Sequence, residues 1–300
     1  MESKQNTTDG AISIKRRKIW QAEISLLIQL DNVCKKYGLT YFVTNGTLLG
    51  TVRHKGFIPW DDDLDVMMPR PDYEKLISIA EDEFHDPYYL HVSDAKGNYY
   101  RNYIRLRDEN TTAIPVKDFY HECSKGIFVD IFPIDGCPNS KIKQKIQSVR
   151  IAILCEMANS YVYKNDFQKH RTIRKILAFM AENASKKNGY DNFLRKIENE
   201  RKLYQYGKQK NVQVILHGDF PNIFPLEYFD STSIGSFDNI EVPMPCEFEK
   251  ILKIIYGDYM QLPPEEKRYN HHSIYFDPCE SYKNQSDMTY EYMIENMYNY

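Results

Sequence analysis

The stretch from Asn45 to Val66, NGTLLGTVRHKGFIPWDDDLDV, concentrates the residue types that do chemistry. Asp61, Asp62, Asp63 and Asp65 crowd its C-terminal end. Side chains alternate across an extended strand, so a strand over 61–66 puts Asp61, Asp63 and Asp65 on one face. Leu64 and Val66 then point the other way, into a core. Carboxylates aligned on one face repel each other, and a hard, oxygen-seeking cation is the simplest neutraliser. An isolated acidic run would be a solvated turn or a helix cap. Here Leu64, Val66, Met67 and Met68 surround or follow the acids, and acids in a buried type of strand are costly unless they are used.

Gly46-Thr47 adds a second part. Glycine lets a phosphate approach the backbone, and Thr47 offers a hydroxyl and an N–H at a helix start. A glycine-plus-hydroxyl, a spacer and then acid-x-acid resembles the nucleotidyltransferase pattern, with a spacer longer than the minimal one. A Gly-x4-Gly-Lys phosphate loop is absent from the sequence. The pattern calls for a third acid on a neighbouring strand. Asp130, inside Gly126-Ile-Phe-Val-Asp-Ile-Phe-Pro, is the candidate, because a lone aspartate in an apolar run is expensive to bury.

Residues 46–66, Asp130-Ile-Phe-Pro and Tyr256-Gly-Asp-Tyr-Met-Gln-Leu-Pro-Pro-Glu-Glu-Lys-Arg together resemble the LicD family. Its members resemble phosphocholine transferases that decorate bacterial cell-surface glycans, with fukutin-related proteins as distant relatives. The resemblance spans roughly residues 20–272. It implies a nucleotidyltransferase-like fold, Asp63 and Asp65 as metal ligands, and Asp130 as the third carboxylate and metal ligand. It also implies Mg²⁺ or Mn²⁺ as cofactor, a CDP-linked donor, and a glycan or teichoic-acid precursor as acceptor. Two divalent ions can clamp the attacking and leaving oxygens, and a carboxylate such as Asp130 can take the proton of the acceptor hydroxyl. Gly46, Thr47, Arg53 and His54 are the candidate substrate-binding residues; Arg105, Arg107 and Lys125 are weaker ones. Trp60 is expected in the core, and His271-His272 in a supporting role. Two alternatives remain at this level. One is a nucleotidyltransferase that puts a nucleoside monophosphate on a small alcohol and releases pyrophosphate. The other is an inactive metal-binding protein.

The elements that must position these residues are readable from periodicity. Leu26, Leu27, Leu30, Val33, Cys34 and Tyr37 recur at helical spacing, which predicts a helix over 12–37 closed by Gly38. A strand follows at 40–44, then a break at Asn45-Gly46-Thr47 and a short helix over 48–54. A strand at 64–68 leads into a helix with Pro71 in its first turn and Tyr73, Leu76, Ile77, Ala80 and Phe84 on one face. Strands are expected at 88–92, 103–107, 111–114 and 126–132. Helices follow over 141–206, and a last one over 247–256 buries Phe248, Ile251, Leu252 and Ile255 before Gly257. The fold class is therefore α+β, or mixed α/β: a mixed-sheet core with flanking helices and a helical second half. The expected organisation is a tail at 1–11, a catalytic core at 12–138, a helical region at 139–210 and a C-terminal part at 211–300 packing on the core.

Composition limits the alternatives. The 300 residues are 42% hydrophobic and 27% charged, which excludes a wholly disordered chain. A net charge of -3 argues against a nucleic-acid binder. The polar N-terminus and the lack of a long apolar run predict neither signal peptide nor transmembrane helix, hence a cytoplasmic setting that leaves room for contact at the inner membrane face. The six cysteines show no Cys-x-x-Cys pair, which disfavours zinc. The 24 tyrosines allow an aromatic cage for a choline group without locating it.

Overall fold

Helix α1 (Ile14–Tyr37) starts where the Ser13 hydroxyl accepts from the Arg16 N–H at 3.0 Å, and buries Ile19, Trp20, Leu26, Leu27, Leu30 and Val33 along one face. The computed structural model describes residues 12–93, 99–162, 176, 179–180, 182–183, 190–215, 221–269 and 273–297. The expected tail at 1–11 and His271-His272 lie outside them.

The sheet beneath α1 is mixed, with strand order β1-β2-β6-β4-β3. These are β1 (Phe42–Val43), β2 (Leu64–Pro69), β3 (Tyr88–His91), β4 (Ile104–Asp108) and β6 (Ile127–Cys137). Strands β2 and β6 run parallel at the centre, and the other pairs are antiparallel. Both central strands are buried along their whole length, as their largely apolar runs require, with Asp65, Asp130 and Asp135 as the buried exceptions. Strand β6 runs past Pro133, where a break was expected after Phe132. Its pairing with β4 ends at Ile131, and its pairing with β7 (Asn211–Val214) begins at Ile134. On that edge Pro133 falls between two ladders and costs neither a bond, while on the other edge it stands opposite Met68 of β2.

Two other departures from the sequence-based expectation are local. Asn45-Gly46-Thr47 does not break the chain but forms the first turn of α2 (Asn45–Arg53). In α3 (Arg70–Glu83) the buried line is Arg70, Tyr73, Leu76 and Ile79, a three-residue row, so Ile77 faces outward.

Helix α4 (Lys141–Val162) packs on α5 (Tyr190–Arg201) around Ile151, Cys155, Ala158, Phe193 and Ile197. A buried ion cluster fastens this pair to the sheet: Arg70 and Arg201 both reach Asp135 of β6, and both also reach Glu198. Five further strands follow the helices. After β7, β8 (Asn222–Pro225) extends the main sheet. β9 (Thr232–Phe237) and β10 (Ile240–Pro245) form a hairpin, and β11 (Ile274–Asp277) pairs with β5 (Thr112–Pro115). Helix α6 (Phe248–Tyr256) buries Ile251 and Leu252, while Phe248 and Ile255 are half-buried against the same core. Helix α7 (Tyr290–Asn296) closes the described chain and buries Met293. The protein is mixed α/β, as its sequence pattern indicates.

Candidate active site

The acids sit where β2 begins, and α1 fixes their approach. The Trp20 indole N–H donates to the Asp61 carbonyl at 3.1 Å, and the Arg16 guanidinium donates to the Pro59 carbonyl at 2.6 Å. Trp20 also stacks on Phe57, with centroids 4.7 Å apart. Helix α2 grips the strand from the other side. The Thr47 hydroxyl accepts the Asp65 N–H at 2.8 Å, the Thr44 N–H donates to the Asp65 carbonyl at 3.0 Å, and the Asn45 amide donates to the Asp65 carboxylate at 2.9 Å. Asn45 holds a left-handed φ of 45° while doing so. Gly46 lies so close that a Cβ there would fall 2.4 Å from Asp61 Oδ2. What needs the glycine is thus the Asp61 carboxylate.

A cavity of about 490 Å³ opens over this strand. Asp61, Asp63 and Asp65 line it and Asp62 does not, the alternation an extended segment imposes. Gly46 and Arg53 also line it; Thr47, His54 and Asp130 do not. The opposite wall comes from the end of α6 and the chain beyond it: Ile255, Tyr256, Asp258, Tyr259, Gln261 and Pro263. Gly257 turns the chain into that wall at a φ of 68°, which side-chain-bearing residues rarely adopt. Arg53 ties the two walls together by donating to the Tyr259 carbonyl at 2.8 Å. His54 meets the Trp60 ring edge-on at 6.1 Å, and the Arg268 guanidinium lies 5.7 Å from the same ring. Trp60 is therefore half-buried, packed against the core on one side and part of the cavity wall on the other.

Electrostatics set this place apart. Asp61, Asp62 and Asp63 each present an oxygen, all within 4.8 Å of one another. Burial pushes the Asp63 carboxyl well above the usual carboxylate range, and Asp65, Asp61, Asp62 and Asp130 push it further. Glu23 on α1 behaves the same way: burial raises it first, then Asp62, Asp61, Asp65 and Asp130. Its Oε2 is buried without a hydrogen-bond partner. The Tyr256 hydroxyl is likewise raised, by desolvation and then by Asp65, Asp61 and Asp63, while the residue as a whole stays 41% exposed. Crowded, buried oxygen donors of this kind fit a divalent cation such as Mg²⁺ or Mn²⁺.

Asp130 stands opposite Asp65 in the parallel register of β2 and β6. The row continues across the sheet through Arg105 to His91. Arg105 forks onto both Asp130 oxygens, at 2.6 and 3.0 Å. It lies 3.6 Å over the Phe128 ring as well. Beyond it, burial and then Arg107, Arg105 and Arg101 press the His91 imidazole down to about 2, so it is neutral. Arg107 donates to His91 and to the Gly126 carbonyl, and Lys125 to the Phe119 carbonyl. These three cations thus have structural partners within the fold.

Comparison with known proteins now bears on this geometry. The family described as LicD/FKTN/FKRP, nucleotidyltransferase domain, matches residues 38–162. The lipopolysaccharide cholinephosphotransferase LicD of Haemophilus influenzae is 27% identical over 256 residues, covering 83% of this chain and 92% of that protein. Residues 38–162 thus match a LicD-family domain, and the likeness to the Haemophilus protein runs well beyond them. Two uncharacterised proteins, of Rickettsia typhi and Rickettsia prowazekii, are 42% and 41% identical over 57 and 54 residues, 18% of this chain in each case.

The LicD-family domain holds the acid strand, α2, Arg105 and Asp130. It does not hold the facing wall at 255–263, nor Glu23. Glu23 escaped sequence reasoning, although a signal existed: it interrupts the buried stripe Ile19, Trp20, Leu26, Leu27 and Leu30 of α1. The wall residues were noticed only as a motif, because nothing local says that they face Asp63.

Proposed function

We propose that this protein transfers phosphocholine, or a closely similar phospho-alcohol, from a CDP-linked donor to a hydroxyl of a cell-surface glycan or teichoic-acid precursor, in a divalent-metal-dependent reaction releasing CMP. The observation that carries this reading is the shared cavity. Two motifs far apart in sequence meet across it, with three aspartates on one side and aromatic rings on the other. The likeness to a lipopolysaccharide cholinephosphotransferase over nearly the whole of that protein supports the same reading.

Asp61, Asp63 and Asp65 would hold the cation. When bound, it neutralises the donor pyrophosphate and the charge building on the leaving oxygen. The chain supplies the rest. The acceptor oxygen attacks the phosphorus that carries the alcohol, and the bond to the CMP oxygen breaks with its electron pair leaving on CMP. The acceptor proton passes to a cavity carboxylate; Asp63 suits this better than Asp130, whose oxygens are both engaged by Arg105. Arg53 lines the cavity and Arg268 lies 5.7 Å from the Trp60 ring, so both would bring positive charge toward a donor phosphate bound there. Trp60, Tyr256 and Tyr259 offer π-faces to a quaternary ammonium head.

The test is a panel of CDP-choline, CDP-ethanolamine, CDP-glycerol and CDP-ribitol, each with and without extracted glycan and with Mg²⁺ or EDTA. Metal-dependent CMP release that rises with glycan is expected. Pyrophosphate release would assign nucleotidyl transfer instead, and full turnover in verified metal-free conditions would remove the cation from the scheme.

A further inference from the structure

We propose that the outer face of α4 is a docking surface for an anionic lipid bilayer. This inference is independent of the transferase reading, because it concerns a face whose residues do not line the cavity.

One side of α4 packs on α5, and the other carries Ile142, Ile146, Val149 and Ile153, which are 75%, 54%, 39% and 47% exposed. Single exposed apolar side chains are ordinary, but four on one helical line are not. At about 100° per residue they fall in a stripe roughly 60° wide. The same geometry places exposed Lys141 and Lys145 along one border of the stripe, and exposed Lys143 and Arg150 along the other. No acidic residue occurs between 141 and 155, and the first acid of α4, half-buried Glu156, comes only one turn after Ile153 at the far end of the stripe. Arg150 also reaches Glu200 at 3.4 Å, leaving the three lysines as the main positive border. Further along the chain the helical residues Ile176, Phe179 and Met180 repeat the exposed three- and four-residue spacing.

An apolar stripe bordered on both sides by cations is the pattern of a helix lying in a membrane interface. The apolar line enters the acyl boundary while the lysines meet lipid phosphates. Charge decides the occupant. A second copy of this chain seated symmetrically on the stripe would set basic borders against basic borders. An anionic bilayer offers the opposite charge. The stripe is far too short and too flanked by charge to span, and no described helix is long and apolar enough to cross a membrane.

The experiment is co-sedimentation of the full chain with vesicles of phosphatidylglycerol and phosphatidylethanolamine, and with phosphatidylcholine vesicles, at low and moderate salt. Binding should favour the anionic vesicles and weaken with salt. Ile142→Glu with Ile146→Glu should weaken it more than tenfold without shifting the melting temperature, since both positions are exposed. Lys141→Gln, Lys143→Gln and Lys145→Gln together should abolish the anionic preference. Three results would each overturn the proposal: no binding to anionic vesicles at low salt, equal binding to neutral ones, or unchanged binding by the isoleucine variant. A dimer by light scattering that Ile146→Glu dissolves would also overturn it, by assigning the face to a second copy.

Discussion

At the scale of single residues, charge at the mouth of β2 is what the site invests in. Asp63→Asn or Asp65→Asn keeps the side-chain shape and removes the charge facing the cavity. Each should cost about 3 kcal/mol of transition-state stabilisation, the scale of one strong electrostatic stabiliser, with the fold intact. Steady-state CMP release alongside a thermal melt checks this; near-native turnover would take that residue out of the site. Gly46→Ala acts on the same group from outside. A Cβ there meets the end of Asp61, which can swing aside, so the backbone survives and the carboxylate is displaced. The expected outcome is a clear fall in kcat and in metal affinity with little change in melting, measured by titrating Mn²⁺ against turnover.

At the scale of elements, the register of the sheet creates a pair that no local pattern announces. Asp130 and Arg105 face each other across β6 and β4, both buried. Removing one partner of a buried ion pair leaves the other charge stranded, at about 3–5 kcal/mol. Asp130→Asn should therefore lower stability by roughly 3 kcal/mol in chemical denaturation, whatever it does to transfer. An unchanged denaturation midpoint would show that the pair does not hold the strands. The strands, the helices and the acid cluster were legible in the sequence because alternation and helical spacing are one-dimensional. Arg105 beside Asp130 was not, because pairing partners are chosen by the whole sheet. The extension of β6 beyond Phe132 was hidden for the same reason, since its last residues pair with β7, a strand far along the chain. Ile77 misled because three- and four-residue spacing admit two buried rows, and packing against β2 and β3 selected one. Glu23 was visible but looked like any charged residue on a helix until the acids beneath it were placed.

At the scale of the whole molecule, the acid centre is a source of instability, which a cation bound as proposed would relieve. Burial raises the carboxyls of Glu23 and Asp63 above their unfolded values. A group raised in the folded state lends stability fully below its unfolded pKa, and that stability is lost as pH climbs through the folded one. The metal-free protein should therefore lose melting temperature as pH rises from the ordinary carboxylate range toward neutrality. The gain on adding Mg²⁺ should grow over the same interval. Glu23→Gln should flatten the metal-free slope. Calorimetry across pH, with EDTA or with Mg²⁺, decides it; parallel curves with and without metal would show that the cluster takes none.

The cavity's two walls are separated by most of the chain's length, with the acids complete by Asp65 and the facing wall ending at Pro263. On a ribosome, the acid strand therefore emerges long before its lid of aromatic residues has been translated. A nascent chain that ends with the matched span at residue 162 carries the acids but only one wall of the cavity. The enclosure needs the late-synthesised part of the chain, because α6 packs against α2 and Asp258, Tyr259, Gln261 and Pro263 line the opening. A premature stop anywhere between 162 and 255 would thus yield the acids of the matched span without the facing wall of their cavity.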